Sequence, residues 1–245
     1  MLILVNLDSA SERRDLMTGQ LDALGVPFER LGVDMRARSD GEIMAWVDAH
    51  FPNFSFDLES LSGAEVGCWL SHLSAWNRLL EDDHAESCIV IEDDLTLAAE
   101  FPDAIAALQA QTTFDFVYLG TSSKNLSARR RTRIGRFWAH APVGAIYNTW
   151  GYAVTRAYVR RLFRGPPVRV STPIDHFVGG STAAARPRIA VLRPAIVDEH
   201  PIVGTESQIG PYTNRLDRWR LVEMARRRLL SSRVSALYYA LYRFL

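Results

Sequence analysis

The first apolar positions form a short unbroken run, "LILVNL" at residues 2–7, the pattern of a strand buried on both faces. Behind it, "DSASERRDLMTGQLDAL" changes to helical spacing. Leu16, Leu21 and Leu24 fall on a workable face, Ser and Asp offer N-caps, and Gly25 supplies the stop. "PFERLGV" (27–33) reads as a second strand, and this strand–helix–strand start predicts a parallel α/β sheet. Residues 50–62 are turn-rich and predict irregular structure. "GAEVGCWLSHLSAWNRLLED" (63–82) then sets Val66, Leu70, Leu73 and Trp76 on one helical stripe, extended by Leu79 and Leu80. A strand "SCIVI" (87–91), a helix over 98–111 and a strand "FDFVYLG" (114–120) follow. The pattern lapses over 124–136 and resumes as strand into helix in "YAVTRAYVRRLF" (152–163). From 211 onward the chain reads as helical, basic on one side and apolar on the other.

The reading is an α/β domain over 1–210 with a mostly parallel sheet flanked by helices, and basic amphipathic C-terminal helices over 211–245. A 245-residue chain with 48% hydrophobic residues can bury a sizeable core. Lys+Arg and Asp+Glu balance at 28 each, which gives no argument for nucleic acid. Locally the balance fails: acids dominate 81–94, and arginines crowd 129–136 and 215–233. Cys68 and Cys88 lack metal-ligand spacing and read as buried apolar residues suited to a reducing compartment. No basic, apolar leader opens the chain, and no run approaches the ~20 apolar residues that span a bilayer. The expected setting is cytoplasmic, with contact at the inner membrane face left open.

The chemistry-bearing feature is Glu92-Asp93-Asp94, three acids where the strand "SCIVI" leaves the core. Ligands of open α/β sheets bind beyond the carboxyl ends of strands. Clustered carboxylates become favourable around a divalent cation, and oxygen-only ligation suits Mg²⁺ or Mn²⁺. A solvated acidic turn opening a helix would carry the same residues. Spacing alone leaves both readings open.

The stretches "VNLDSASERRDLMTGQLDALGVPFER", "LSGAEVGCWLSHLSAWNRLLEDDHAESCIVIEDDLTL", "FDFVYLG", "GYAVTRAYVRRLF" and "TPIDHF" together resemble the family 25 glycosyltransferases, which include lipooligosaccharide and collagen galactosyltransferases. They occur in the family's order over most of residues 2–178. The resemblance implies a GT-A-like, Rossmann-type fold, a UDP-sugar donor, commonly UDP-galactose, and Mn²⁺ (or Mg²⁺) as cofactor. Glu92, Asp93 and Asp94 match the family's metal motif.

It also assigns expectations to other residues, each beside a plainer one. Asn6 and Asp8 would contact the donor, or cap a helix. Arg13 and Arg14 match the family's basic pair and suit phosphate, or form a solvated helix face. Ser71 and His72 would position the donor along with Asp93, and His72 alternatively serves as a structural hydrogen-bonding residue. Asp175 in "TPIDHF" is the expected general base, against an N-cap reading, with Glu65 a second catalytic candidate and Asp198 in reserve. "ARRRTRIGR" (128–136) reads as a mobile loop, either merely solvated or clamping an anionic donor or phosphorylated glycan. Residues 180–205 match the family poorly apart from "ESQI" just beyond, and that leaves the acceptor side open.

The expected activity is metal-dependent, inverting transfer of galactose or glucose from a UDP-sugar to a lipopolysaccharide- or lipooligosaccharide-type or other glycan acceptor. The rival readings are a metal-dependent phosphohydrolase and a non-catalytic glycan- or nucleotide-binding module. The basic, aromatic segment 215–245 is expected to touch an anionic membrane surface, where lipid-linked acceptors are presented.

Overall fold

The computed structural model describes residues 1–121, 126–146, 148–179 and 187–201. The chain opens with β1 (Leu2–Val5), α1 (Ser11–Ala23), β2 (Glu29–Leu31), α2 (Asp40–His50), β3 (Phe54–Phe56) and α3 (Gly63–Glu81). Next come β4 (Ser87–Glu92), β5 (Leu95–Leu97), α4 (Phe101–Gln109), β6 (Phe116–Tyr118), β7 (Leu126–Ile134) and β8 (Phe137–Pro142). β9 (Gly151–Thr155), α5 (Arg156–Arg164), β10 (Val168–Val170), α6 (Ile174–Gly179), β11 (Ile189–Arg193) and β12 (Val197–Glu199) complete the described elements.

The main sheet has eight strands in the order β2-β1-β4-β9-β6-β11-β8-β7. β1 is parallel to β2 and β4, and β11 is parallel to β6, while β9 runs antiparallel between β4 and β6. β8 is antiparallel to both β11 and β7. All strands except β8 and β9 therefore point the same way, as the expected α/β architecture requires, although those two make most neighbour pairings antiparallel.

Alternation sorts each strand onto two cores. Ile3, Cys88, Val90, Phe116, Tyr118, Tyr152, Val154 and Val191 face one cluster, with α3 and α5. Leu2, Leu4, Ile89, Ile91, Val117, Ala153, Ala190 and Leu192 face the other, with α1 and α4. Burial on both faces is why the central strands read as continuous apolar runs. Helix α3 carries the expected stripe, and Trp69 joins it, wedged between Phe56 and Phe177 with its indole N–H donated to Thr172 O at 2.8 Å.

Three stretches differ from expectation. Helix α2 lies where the sequence suggested nothing; it buries only Ile43 and Val47 and is started by a Ser39–Glu42 capping box. Inside the supposedly irregular 50–62, β3 forms because β10, far along the chain, pairs with it in parallel. The supposed Arg-rich loop is mostly β7, an edge strand that needs hydrogen bonds on one side only and buries little besides Ile134. Charged side chains commonly guard such an edge. Arg131 and Arg133 stack on Trp138 of β8, at 4.3 and 5.0 Å. β7 stands five places from β4, roughly 24 Å at ordinary strand spacing, so its arginine row does not flank the acid triplet. Residues 211–245, including the basic amphipathic segment, and "ESQI" lie outside the described residues.

Candidate active site

The carboxyl ends of β1 and β4 meet at one edge of the sheet, and side chains from several elements converge there. Asn6, buried where β1 ends, donates its amide to Asp93 Oδ2 at 2.7 Å and to Ala10 O at 3.1 Å. Arg13 on α1 spans two acids, reaching Asp93 Oδ1 at 3.1 Å and Asp94 Oδ2 at 3.3 Å. Thr149, just before β9, donates to Glu92 Oε1 at 2.5 Å. The His200 backbone N–H, following β12, donates to Asp94 O at 2.8 Å and ties down the triplet's far end.

Helix α3 contributes from the opposite side. Its Gly67 lets the helix approach the chain after β2, since a Cβ there would lie 2.7 Å from Val33 O. Ser71 fastens the same contact, accepting from Val33 N and donating to Gly67 O, both at 2.8 Å. His72 is fully buried. Its Nδ1 lies 2.7 Å from the Tyr152 hydroxyl, which also accepts from Trp76 Nε1 at 3.0 Å. His72 Nε2 points at Glu92 Oε1 from 3.5 Å and has no hydrogen-bond partner among the described residues. That separation is long for a hydrogen bond, so the contact is chiefly electrostatic.

Charge is unevenly matched here. Burial pushes Asp94 up to about 7, helped by the neighbouring charges of Glu92 and Asp93 and opposed by Arg13. Burial likewise raises Asp93 against the pull of Asn6 and Arg13. Burial also works against ionised Glu92, but nearby His72, the Thr149 hydrogen bond and Arg13 outweigh it, and its pKa falls below the usual value. Asp94 Oδ1 is buried without a partner among the described residues. An orphaned carboxylate oxygen beside two more acids, with one guanidinium between them, fits a divalent cation held by oxygen ligands. Glu92 and Asp94 would hold such an ion. Both Asp93 oxygens are engaged by Asn6 and Arg13, which makes Asp93 the support of the cluster.

The structure sorts the other expected residues. Asp175 lies inside α6, not at its N-cap, and accepts from His176 N at 2.8 Å. Burial raises its pKa, and the Glu92 charge adds to this against His176, so Asp175 belongs to the same acid field. Glu65 is buried but occupied: one oxygen accepts from the Ser62 N–H and hydroxyl in the capping box of α3. Asp8 caps nothing. It is exposed and pairs with Arg30 at 2.7 Å, while Ala10 holds the N-cap of α1. The basic pair divides, with the Arg13 side chain 12% exposed in the cluster and Arg14 36% exposed beside Asp15. Asp198 is exposed on β12 and accepts from Glu199 N.

Cys68 packs against the core as an apolar side chain, partly buried rather than fully buried, and its surroundings add a feature that the spacing did not show. Its sulfur lies with His72 and Glu92 in a group whose ligand atoms are all within 4.8 Å of one another. Burial raises the thiol pKa well above normal, as do the charges of Glu92, Asp175, Glu65 and Asp94. Cys88, inside β4, is the buried apolar residue expected. Tyr118 is a further unanticipated neighbour. Its buried hydroxyl has no partner among the described residues, and burial together with the Asp175 charge raises its pKa.

Comparison with known proteins places the chain among relatives. The chain is 26% identical over 211 residues to procollagen galactosyltransferase 1 of Danio rerio, covering 82% of this chain and 32% of that protein. Procollagen galactosyltransferase 2 of Homo sapiens is 24% identical over 216 residues, 82% of this chain and 31% of the relative. Inactive glycosyltransferase 25 family member 3 of Homo sapiens is 27% identical over 147 residues, 58% and 22% of the two chains. The chain thus spans about a third of the length of the first two relatives. Among solved structures, mannose-1-phosphate geranyltransferase from Thermus thermophilus is 15% identical with a TM-score of 0.38, covering 78% of this chain and 72% of that one. A likeness that slight carries no argument. The family model for glycosyltransferase family 25 (LPS biosynthesis protein) matches residues 1–177, a span holding Asn6, Arg13, Cys68, His72, the acid triplet and Asp175. The chain belongs to glycosyltransferase family 25.

Proposed function

We propose that the chain is a divalent-metal-dependent, inverting hexosyltransferase that moves galactose or glucose from a UDP-sugar to a glycan acceptor of the lipopolysaccharide or lipooligosaccharide type. The observation that carries this reading is the under-compensated acid cluster at the carboxyl ends of β1 and β4, with its orphaned Asp94 oxygen. Glu92 and Asp94 would hold Mn²⁺ or Mg²⁺, whose chemistry is to neutralise charge on a departing diphosphate. Asn6 and Arg13 keep Asp93 fixed, and Thr149 orients Glu92. Asp175 takes the proton of the acceptor hydroxyl as that oxygen attacks the anomeric carbon. Its raised pKa makes it a stronger base than an exposed aspartate. Arg13 also lies within reach of a phosphate brought to the acids, and its planar fork suits one.

None of the described helices is long and apolar enough to cross a membrane. Placement on the inner face of the cytoplasmic membrane through 215–245 forms part of this proposal. Liposome sedimentation checks it: binding should need anionic lipid, weaken with salt and disappear when 215–245 is removed.

The activity test is a UDP-release screen over UDP-sugars with Mn²⁺, Mg²⁺ or EDTA, with and without glycan acceptors. Acceptor-stimulated, EDTA-sensitive release is expected. Phosphate release from simple esters in its place would favour a phosphohydrolase. Donor binding without turnover across the acceptor panel would favour a binding module.

A further inference from the structure

Cys68 and His72 stand four residues apart on α3, so their side chains share one face a single turn apart. That face is turned onto the end of β4, where Glu92 completes a sulfur, nitrogen and oxygen set within 4.8 Å. A tetrahedral ion with bonds of 2.0–2.3 Å separates its ligands by roughly 3.3–3.7 Å, so modest rotamer adjustment would close the set.

The histidine is prepared for such a role. Tyr152, itself held by Trp76, occupies Nδ1 and fixes the ring, leaving Nε2 fully buried, without a hydrogen bond among the described residues and 3.5 Å from Glu92 Oε1. An imidazole oriented through its other nitrogen is the usual arrangement of a ligating histidine. A structural histidine at 0% exposure would be expected to satisfy both nitrogens. Burial first, and then the charges of Glu92, Asp175, Glu65 and Asp94, raise the Cys68 thiol pKa, and a cation bound beside the sulfur would offset both.

We propose that Cys68, His72 and Glu92 form a second cation subsite, selective for a thiophilic divalent ion such as zinc and sharing Glu92 with the oxygen-lined subsite at Asp94. Thiolate and imidazole select Zn²⁺ or Co²⁺, whereas carboxylates alone suit Mn²⁺ or Mg²⁺. As the sulfur–metal bond forms, the thiol proton leaves to solvent. Because Glu92 cannot serve both subsites freely, zinc antagonises Mn²⁺-supported transfer. This last consequence rests on the proposed function; binding at the subsite does not.

Titration of the full chain with Co²⁺ tests the subsite without any transfer assay. A thiolate-to-cobalt charge-transfer band should appear, survive in Cys88→Ser, be lost in Cys68→Ser, and be bleached by Zn²⁺ but not by equal Mn²⁺. Absence of the band, or its persistence in Cys68→Ser, overturns the proposal. Because Cys68→Ser could itself perturb folding, alkylation supplies an independent readout. In Cys88→Ser, Cys68 is the sole cysteine, and Zn²⁺ should slow its alkylation at least tenfold; an unchanged rate also overturns the proposal. A normal cobalt band in a chain without transferase activity would refute the proposed function and leave this subsite standing.

Discussion

The two ends of the sheet bury charge in opposite ways. At the end where β4 begins, Arg156 is 2% exposed, and its guanidinium donates to the carbonyls of Leu80, Asp82 and Ala85. Nearby, where β6 begins, the buried Asp115 accepts from Arg188 and pairs with Arg161 at 3.2 Å. Burial works against its charge, but Arg188 and Arg161 outweigh this and hold its pKa below normal. At the end where β4 finishes, Asp94 is pushed up to about 7, and one of its oxygens has no partner among the described residues. One end spends its polar groups on the fold. The other leaves them incompletely matched, at a cost that an arriving cation would relieve.

The contrast predicts which substitutions harm activity and which harm folding. Asp94→Asn and Glu92→Gln should each lower transfer by about 10³-fold or more, with the circular dichroism spectrum retained. Initial rates at saturating Mn²⁺ check this. Asp175→Asn should lose roughly 10²–10⁴-fold in turnover with donor affinity little changed. If it lost stability and kept its specific activity, Asp175 would serve α6 alone.

The opposite end should respond in the opposite sense. Arg156→Met leaves buried carbonyls unsatisfied and should cost about 3 kcal/mol of stability in urea unfolding, with the activity of the folded fraction intact. The carboxylates then sharpen the comparison through pH. Asp115 has a lowered folded pKa, so its stabilisation is present above its unfolded value near 3.8 and is lost as pH falls through the folded value. Asp115→Asn should therefore cost about 1–2 kcal/mol at neutral pH and little in strong acid. Asp94 has a raised folded pKa, so its contribution is full below 3.8 and is lost as pH rises through about 7. Without metal, Asp94→Asn should be about 1 kcal/mol more stable than the parent at pH 8. Thermal melts in EDTA across pH 5–9 would read this smallest effect.

Much of this division was legible in the chain itself. The apolar run ending in Glu92-Asp93-Asp94 located the acid cluster, because a strand buried on both faces must deliver its first acids at the sheet edge. The α3 stripe located the helix above it. Other features needed three dimensions. Arg13 and Arg14 look equivalent until the phase of α1 is known; Arg13, Met17 and Leu21 are spaced by four, and Met17 and Leu21 are the residues α1 buries. Choosing Leu16 as the core position concealed that split. Cys68 does pack on the core as an apolar side chain, but its approach to His72 and Glu92 depends on how α3 lies on β4, which Cys-x-x-x-His on a helix signals only weakly. Thr149 gave no local sign, since only the β4–β9 pairing brings it to Glu92. β7 was hidden by its arginines, which an edge strand tolerates and a central strand would not.

The central claim is that the mismatched end of the sheet is built for a divalent cation. Depletion of the free Mn²⁺ electron paramagnetic resonance signal by the purified chain tests it most directly. The account predicts uptake by the parent and by Asp115→Asn, strengthening as pH rises through about 7 because Asp94 must release its proton, and a loss of that uptake in Asp94→Asn. Equal Mn²⁺ uptake by the parent and Asp94→Asn, or none by either, would contradict it.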